Sequence, residues 1–204
     1  MFSSITTVVF DIGNVLIEWN PEHLYRKLIP DEKDRKSFLE TVCTPDWNIQ
    51  QDLGRTWQEA IDTLSKKHPE KTDLITAYSE RWHEMVPGEI HGTTKLLEEL
   101  KAANCPLYAI TNFSAEKFAE AQERFPFLKV SFRDIVVSAE EKLIKPDSRI
   151  YEVLLQRNGL EAETCLFIDD SLKNVEAARD LGMTAHHFKN PEDLRSDLNR
   201  HGLL

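Results

Sequence analysis

The stretch Val8-Val9-Phe10-Asp11-Ile12-Gly13-Asn14-Val15-Leu16 constrains this chain more than any other. Apolar residues run without alternation into an acid, and a glycine follows two places later. A strand buried on both faces reads this way, and such strands belong to parallel sheets covered by helices. Asp11 then ends the strand, and Gly13 lets the chain turn sharply beside it. In an open parallel sheet, ligands collect beyond the carboxyl ends of the strands. A carboxylate at that point is a candidate nucleophile or metal ligand. The plainer alternative is a helix cap or a turn residue.

The second half of the chain repeats the pattern. Leu107-Tyr108-Ala109-Ile110 ends at Thr111-Asn112, and Asp134-Ile135-Val136-Val137 is followed by Lys145-Pro146-Asp147. Leu166-Phe167-Ile168 ends at Asp169-Asp170, and Thr184 to Phe188 is a weaker fifth strand. Helical spacing lies between them. Leu96, Leu97 and Leu100 share a face, as do Phe118, Ala121 and Phe125 behind a Ser114 cap. Ile150, Val153, Leu154 and Leu155 follow Asp147, Ser171 caps a helix that Gly182 closes, and a last helix runs from Asp193 to Asn199. Alternating strands and helices predict an α/β fold with a parallel sheet covered on both faces.

From about Glu18 to Val86 no strand pattern is visible. Leu24, Tyr25, Leu28 and Ile29 give one apolar face. Asp31 caps a helix with Phe38, Leu39 and Val42 inward, and Thr56 caps one carrying Trp57, Ala60, Ile61 and Leu64. Ile75, Tyr78 and Trp82 sit at helical spacing on another. A crossover needs far fewer residues than these roughly 65–70, so the segment is a helical insertion. Pro87-Gly88 marks the return. The expected organisation is a core of residues 1–17 and 88–204 with a helical cap of residues 18–87.

The remaining totals exclude more than they assign. A net charge of −10 with no basic cluster argues against a nucleic-acid partner. The apolar runs are too short to span a bilayer, and no basic-then-apolar leader opens the sequence. Cys43, Cys105 and Cys165 form no CxxC pattern, and Cys105 and Cys165 read as small core residues. A cytoplasmic setting, as a monomer or a homodimer, is the expectation.

Right-handed crossovers put every strand's carboxyl end on one edge of the sheet. Asp11, Thr111, Asn112, Lys145, Asp169 and Asp170 therefore converge. Each type has work in phosphoryl transfer. A carboxylate attacks phosphorus and forms an acyl phosphate. A divalent cation on hard oxygens offsets the repulsion between two anions. Hydroxyl and ammonium groups meet the phosphoryl oxygens, joined by backbone N–H groups after Asp11 and at Ser114.

Asp11-Ile12-Gly13-Asn14-Val15-Leu16, Ile110-Thr111-Asn112, Lys145-Pro146-Asp147 and Phe167-Ile168-Asp169-Asp170-Ser171 resemble motifs one to four of the haloacid dehalogenase (HAD) superfamily. The first motif is closest to a bacterial sugar-phosphate phosphatase branch. The resemblance covers nearly the whole chain. It implies a Rossmannoid three-layer core with an inserted α-helical cap, and an aspartyl-phosphate on Asp11. It also implies Mg²⁺ on the Asp11 carboxylate, the Gly13 carbonyl and Asp170. Thr111, Asn112 and Lys145 would hold phosphate, with Lys145 and Asp169 joining Asp11 in catalysis. Asn174 stands where many members carry another carboxylate.

One departure matters. Most phosphatases of the superfamily place an aspartate two residues after the nucleophile as general acid and base, and here that residue is Gly13. Such catalysis contributes about 10²–10⁴-fold. His23, Asp46 and Asp52 are candidates to replace it from the insertion.

The expected activity is magnesium-dependent hydrolysis of a small phosphorylated metabolite such as a sugar phosphate. A 2-haloacid dehalogenase and a catalytically weak phosphate-binding protein are the alternatives. Substrate choice is expected from Asp46 to Arg55. There Trp47 stacks on a sugar face, Asn48 and Gln51 bind hydroxyls, and Arg55 binds an anion. The alternative is an inter-helix loop with Trp47 buried. Trp19 packs at the hinge, and His186-His187 reads as structural.

Overall fold

The computed structural model describes residues 4–204. Its strands are β1 (Thr7–Phe10), β2 (Leu107–Thr111), β3 (Asp134–Val137), β4 (Cys165–Asp169) and β5 (Thr184–His187). They form one parallel sheet in the order β3-β2-β1-β4-β5. The helices are α1 (Glu22–Leu28), α2 (Glu32–Thr41), α3 (Pro45–Asp52), α4 (Trp57–Lys67), α5 (Thr72–Glu80) and α6 (His91–Ala102). They continue with α7 (Ala115–Arg124), α8 (Phe127–Val130), α9 (Ser138–Glu141), α10 (Ser148–Asn158), α11 (Leu172–Asp180) and α12 (Pro191–Arg200).

β1 lies at the centre, so all four of its residues are buried and it reads as an unbroken apolar run. Its side chains still divide by the two-residue period. Val8 and Phe10 join Ala109 and Ile168 on one face. There they meet Leu96, Leu97 and Leu100 of α6, Phe118 and Ala121 of α7, and Leu194 and Leu198 of α12. Val9 joins Tyr108, Ile110 and Phe167 on the other face, against Ile150, Tyr151 and Leu154 of α10 and Val175 and Ala178 of α11. Two helical layers thus enclose the sheet. Each fully buried Phe or Leu contributes about 1.5–3 kcal/mol.

Residues 22–84 hold five α-helices and two 3₁₀ turns. The chain leaves the sheet and returns along one line. Ile17 and Glu89 form an antiparallel bridge, Glu18 N–H donates to the Gly88 carbonyl at 3.0 Å, and Ile90 N–H donates to the Leu16 carbonyl at 2.8 Å. Tyr25, Phe38, Trp47, Trp57 and Tyr78 pack together inside this segment. No helix of the described residues is long and apolar enough to cross a membrane.

Local chemistry departs from the sequence reading in four places. Asp31, Thr56 and Asp147 cap their helices, but Ser114 and Ser171 occupy the cap positions of α7 and α11 without a side-chain capping bond. Ser114 Oγ instead accepts from Trp57 Nε1 at 3.0 Å. The sharp turn after Asp11 falls on Asn14 (φ 55°), not Gly13, and Asn14 Oδ1 accepts from Trp19 N–H at 2.9 Å. The stretch after Thr44 is helix α3, capped by Thr44 Oγ1, rather than a loop. Trp82 lies beyond α5 in a 3₁₀ turn. Cys43 and Cys165 are buried and Cys105 is half-buried, all as free thiols.

Candidate active site

Asp11 follows β1 directly and is 8% exposed. Its Oδ1 accepts from Ile12 N–H at 2.7 Å and lies 2.9 Å from Lys145 Nζ. That ammonium also reaches Asp169 Oδ2 at 2.7 Å and the Ile110 carbonyl at 2.9 Å. Burial opposes the charge on Lys145, but Asp11 and Asp169 outweigh it and hold the ammonium above its ordinary pKa. Burial also pushes Asp11 up to about 7, with Lys145 pulling it down and Asp169 and Asp170 pushing it further up.

Asp169 ends β4 and has no exposed surface. Its oxygens accept from Lys145, from Asn174 Nδ2 at 3.0 and 3.1 Å, and from Ser171 N–H at 2.8 Å. So occupied, Asp169 fixes Lys145 rather than standing as a free acid. Asp170 is exposed as a residue while its carboxyl is partly enclosed: that partial burial and Asp169 raise its pKa, against the pull of Lys145. His187 Nε2 lies 3.0 Å from the Asp170 carbonyl, which ties β5 to this corner.

Asp11, Asp169 and Asp170 each place a carboxylate oxygen within 4.8 Å of the others. Three acids therefore face one ammonium. A hard divalent cation fits this donor set, because it offsets the remaining charge and takes oxygen ligands. With Asp169 occupied, Asp11 and Asp170 are the carboxylates free to take part, and Gly13 lies beside them on the cavity wall.

The cluster opens into a cavity of about 280 Å³. Asp11, Gly13, Asn112, Lys145, Asp170 and Asn174 line its floor from the sheet edge. Its remaining wall is largely apolar, with Ile17, Trp19, Ile49, Trp57, Trp82 and Phe113, joined by Asn48, Asp52 and Lys117. Lys117 is buried, and its Nζ lies 2.5 Å from Glu120 Oε1.

Several expected contacts are corrected. Trp47 is 9% exposed and packs edge-on against Trp57 and Tyr78, away from the cavity wall. Gln51 is fully buried; it donates to the Trp47 carbonyl and accepts from Arg55, which also donates to that carbonyl. Of the residues read as sugar contacts, Asn48 is the one on the wall. Asn112 clamps the Lys145 backbone instead of presenting its amide to phosphate: Oδ1 accepts from Lys145 N–H at 2.9 Å and Nδ2 donates to its carbonyl at 3.1 Å. Thr111 ends β2 at 1% exposure, and the wall begins with the next residue. The Ile12 N–H is taken by Asp11 itself. His23 and Asp46 lie off the wall, while Trp19 lies on it. The aromatic wall and Lys117 were not legible in sequence, because Trp57 and Phe118 signal only an ordinary apolar helix face.

A haloacid dehalogenase-like hydrolase family model matches residues 5–182. The chain is a member of that family. This HAD-like hydrolase is 29% identical over 192 residues to a sesquiterpene phosphatase of Aspergillus oryzae, covering 92% of each chain. It is 31% identical over 144 residues to a glyceraldehyde 3-phosphate phosphatase of Methanocaldococcus jannaschii, covering 66% of this chain and 61% of the relative. A HAD family enzyme of Bacteroides thetaiotaomicron, solved as a magnesium complex, superposes with a TM-score of 0.75. The two are 23% identical over 97% of this hydrolase and all of that chain, which establishes a shared fold.

Proposed function

We propose that the protein is a magnesium-dependent phosphatase acting on a small phosphate monoester through an aspartyl-phosphate on Asp11. The observation that carries this reading is the convergence of Asp11, Lys145 and Asp170 on one cavity, with Asp169 buried behind them and paired with Lys145. Asp11 attacks phosphorus and the ester oxygen departs; water then attacks the phosphorus of the acyl phosphate and releases inorganic phosphate and Asp11. Lys145 meets the phosphoryl oxygens, Asn112 and Asp169 hold Lys145 in place, and Thr111 lies buried at the end of β2 behind them. Asp11, the Gly13 carbonyl and Asp170 would hold the cation, which would supply charge neutralisation where the anionic ester meets the anionic nucleophile. A metal-free dehalogenase leaves three acids facing one ammonium, with the excess negative charge uncompensated beside a substrate carboxylate, so we rank it below.

Residues 18–87 act in this reading as a cap over a core of residues 1–17 and 88–204. Trp57 N–H donates to Glu116 Oε1, Ser138 Oγ donates to the Asp52 carbonyl at 2.6 Å, and Arg124 donates to the His83 and Pro87 carbonyls. These bonds hold the two parts together around the cavity. The tryptophan-lined wall supports a compact apolar or aromatic group on the ester in preference to a sugar, and the similarity to a sesquiterpene phosphatase points the same way.

The test is a panel of aryl, alkyl and sugar phosphates assayed with Mg²⁺ and with excess chelator. Hydrolysis of aryl or alkyl esters that collapses in chelator is expected. Release of halide from 2-haloacids in chelator, with no phosphate release under either condition, would contradict the phosphatase reading. Sugar phosphates turning over fastest would contradict the apolar substrate.

A further inference from the structure

Breaking a phosphate ester of an ordinary alcohol leaves a strongly basic alkoxide, which departs readily only when a proton reaches it. Gly13 carries no side chain to supply one. Asp11 is the nucleophile in the reading above, and Asp170 and Asp169 belong to the cluster around Lys145. One carboxyl on the cavity wall lies outside that group. Asp52 ends α3 on the helical side of the cavity, away from the sheet edge.

We propose that Asp52 is the general acid and base of the reaction, acting on the leaving oxygen from the helical side of the cavity. It rests on the phosphatase reading. As Asp11 bonds to phosphorus and the P–O ester bond breaks, the Asp52 proton passes to the departing oxygen. In the second half, a water proton passes to the Asp52 carboxylate as the water oxygen bonds to phosphorus and the Asp11 P–O bond breaks. Asp52 is then protonated again for the next turnover.

The surroundings of Asp52 suit the role. Its carboxyl accepts from Ser114 N–H and from Asn48 Nδ2 at 3.3 Å, so it is oriented, and among the described residues it carries no ion pair. Burial pushes it up to about 7 against the pull of the Ser114 N–H, so it holds a proton near neutral pH. The ammonium of Lys117, on the same cavity wall, is engaged by Glu120, and Tyr78 is kept a neutral phenol by its burial, with Cys43 and Asp52 adding to the rise. The Asp52 carbonyl accepts from Ser138 Oγ, which fixes the end of α3 against the start of α9.

The experiment compares 4-nitrobenzyl phosphate with 4-nitrophenyl phosphate, esters of similar size with strongly and weakly basic leaving oxygens. Asp52→Asn keeps an oxygen that accepts from Ser114 N–H and loses the proton donor. Its kcat/KM, which reports the steps through leaving-group departure, is expected to fall about 10²–10⁴-fold on the benzyl ester and less than about 10-fold on the phenyl ester. Asp52→Glu, which keeps a carboxyl, is expected to restore most of the difference. Both esters are measured on one preparation, so a lowered folded fraction scales both alike and leaves the ratio unchanged. Equal losses on the two esters, or none on either, would overturn the assignment of Asp52 while leaving the phosphatase reading intact. Failure of the wild-type protein to hydrolyse any ester of the aryl, alkyl and sugar phosphate panel with Mg²⁺ would sink both readings.

Discussion

Asp11→Asn is expected to lower phosphate-ester turnover by about 10⁴–10⁶-fold, the range seen when a catalytic nucleophile or its activating partner is removed. The amide keeps an oxygen that accepts from Ile12 N–H and from Lys145 Nζ, so the local hydrogen bonds survive. It also removes one of three crowded negative charges. The fold is therefore expected to be no less stable than the wild type's, and thermal unfolding checks this beside the assay. Turnover within about 10-fold of wild type, in a folded variant, would mean that some other group attacks phosphorus.

Lys145→Met carries the largest expected effect on stability. The ammonium is 3% exposed as a residue and meets Asp11, Asp169 and the Ile110 carbonyl. It also lies 5.5 Å from the centre of the Phe167 ring. Removing one partner of a buried ion pair costs about 3–5 kcal/mol, because the other charge stays buried and uncompensated. Here three carboxyls are left, against a total folding stability of about 5–15 kcal/mol for a domain. The loss should be greatest in chelator, and Mg²⁺ should restore part of it, since a ligand that binds only the folded state stabilises it by mass action. Denaturant unfolding with and without Mg²⁺ reads both effects. A chelated variant within about 1 kcal/mol of wild type would show that Lys145 does not balance the acid cluster.

Much of this was legible in the sequence because burial on both faces leaves a plain mark. β1, β2 and β4 are apolar runs that stop at Asp11, Thr111 and Asp169, and right-handed crossovers bring those ends together. Where the sequence misleads, a residue has a competing partner from far along the chain. Ser114 has the local signature of a cap but serves Trp57, and Asn112 has that of a turn residue but clamps Lys145, 33 positions on. Trp47 and Trp57 are both tryptophans on short helices of the same segment. One is turned into the packing against Tyr78 and the other reaches the cavity, a difference set by how α3 and α4 meet. Gly13 lies next to the left-handed residue, which is Asn14, and a side chain at Gly13 would meet open space.

Covalent attack by Asp11 is the central claim, and rapid acid quenching of wild-type enzyme with an excess of 4-nitrophenyl phosphate and Mg²⁺ tests it most directly. Mass spectrometry of the peptide containing Asp11 is expected to find it phosphorylated on that aspartate during turnover. A phosphoryl group on any other residue, or release of phosphate in the first turnover with no phosphorylated peptide at any time, would contradict the account.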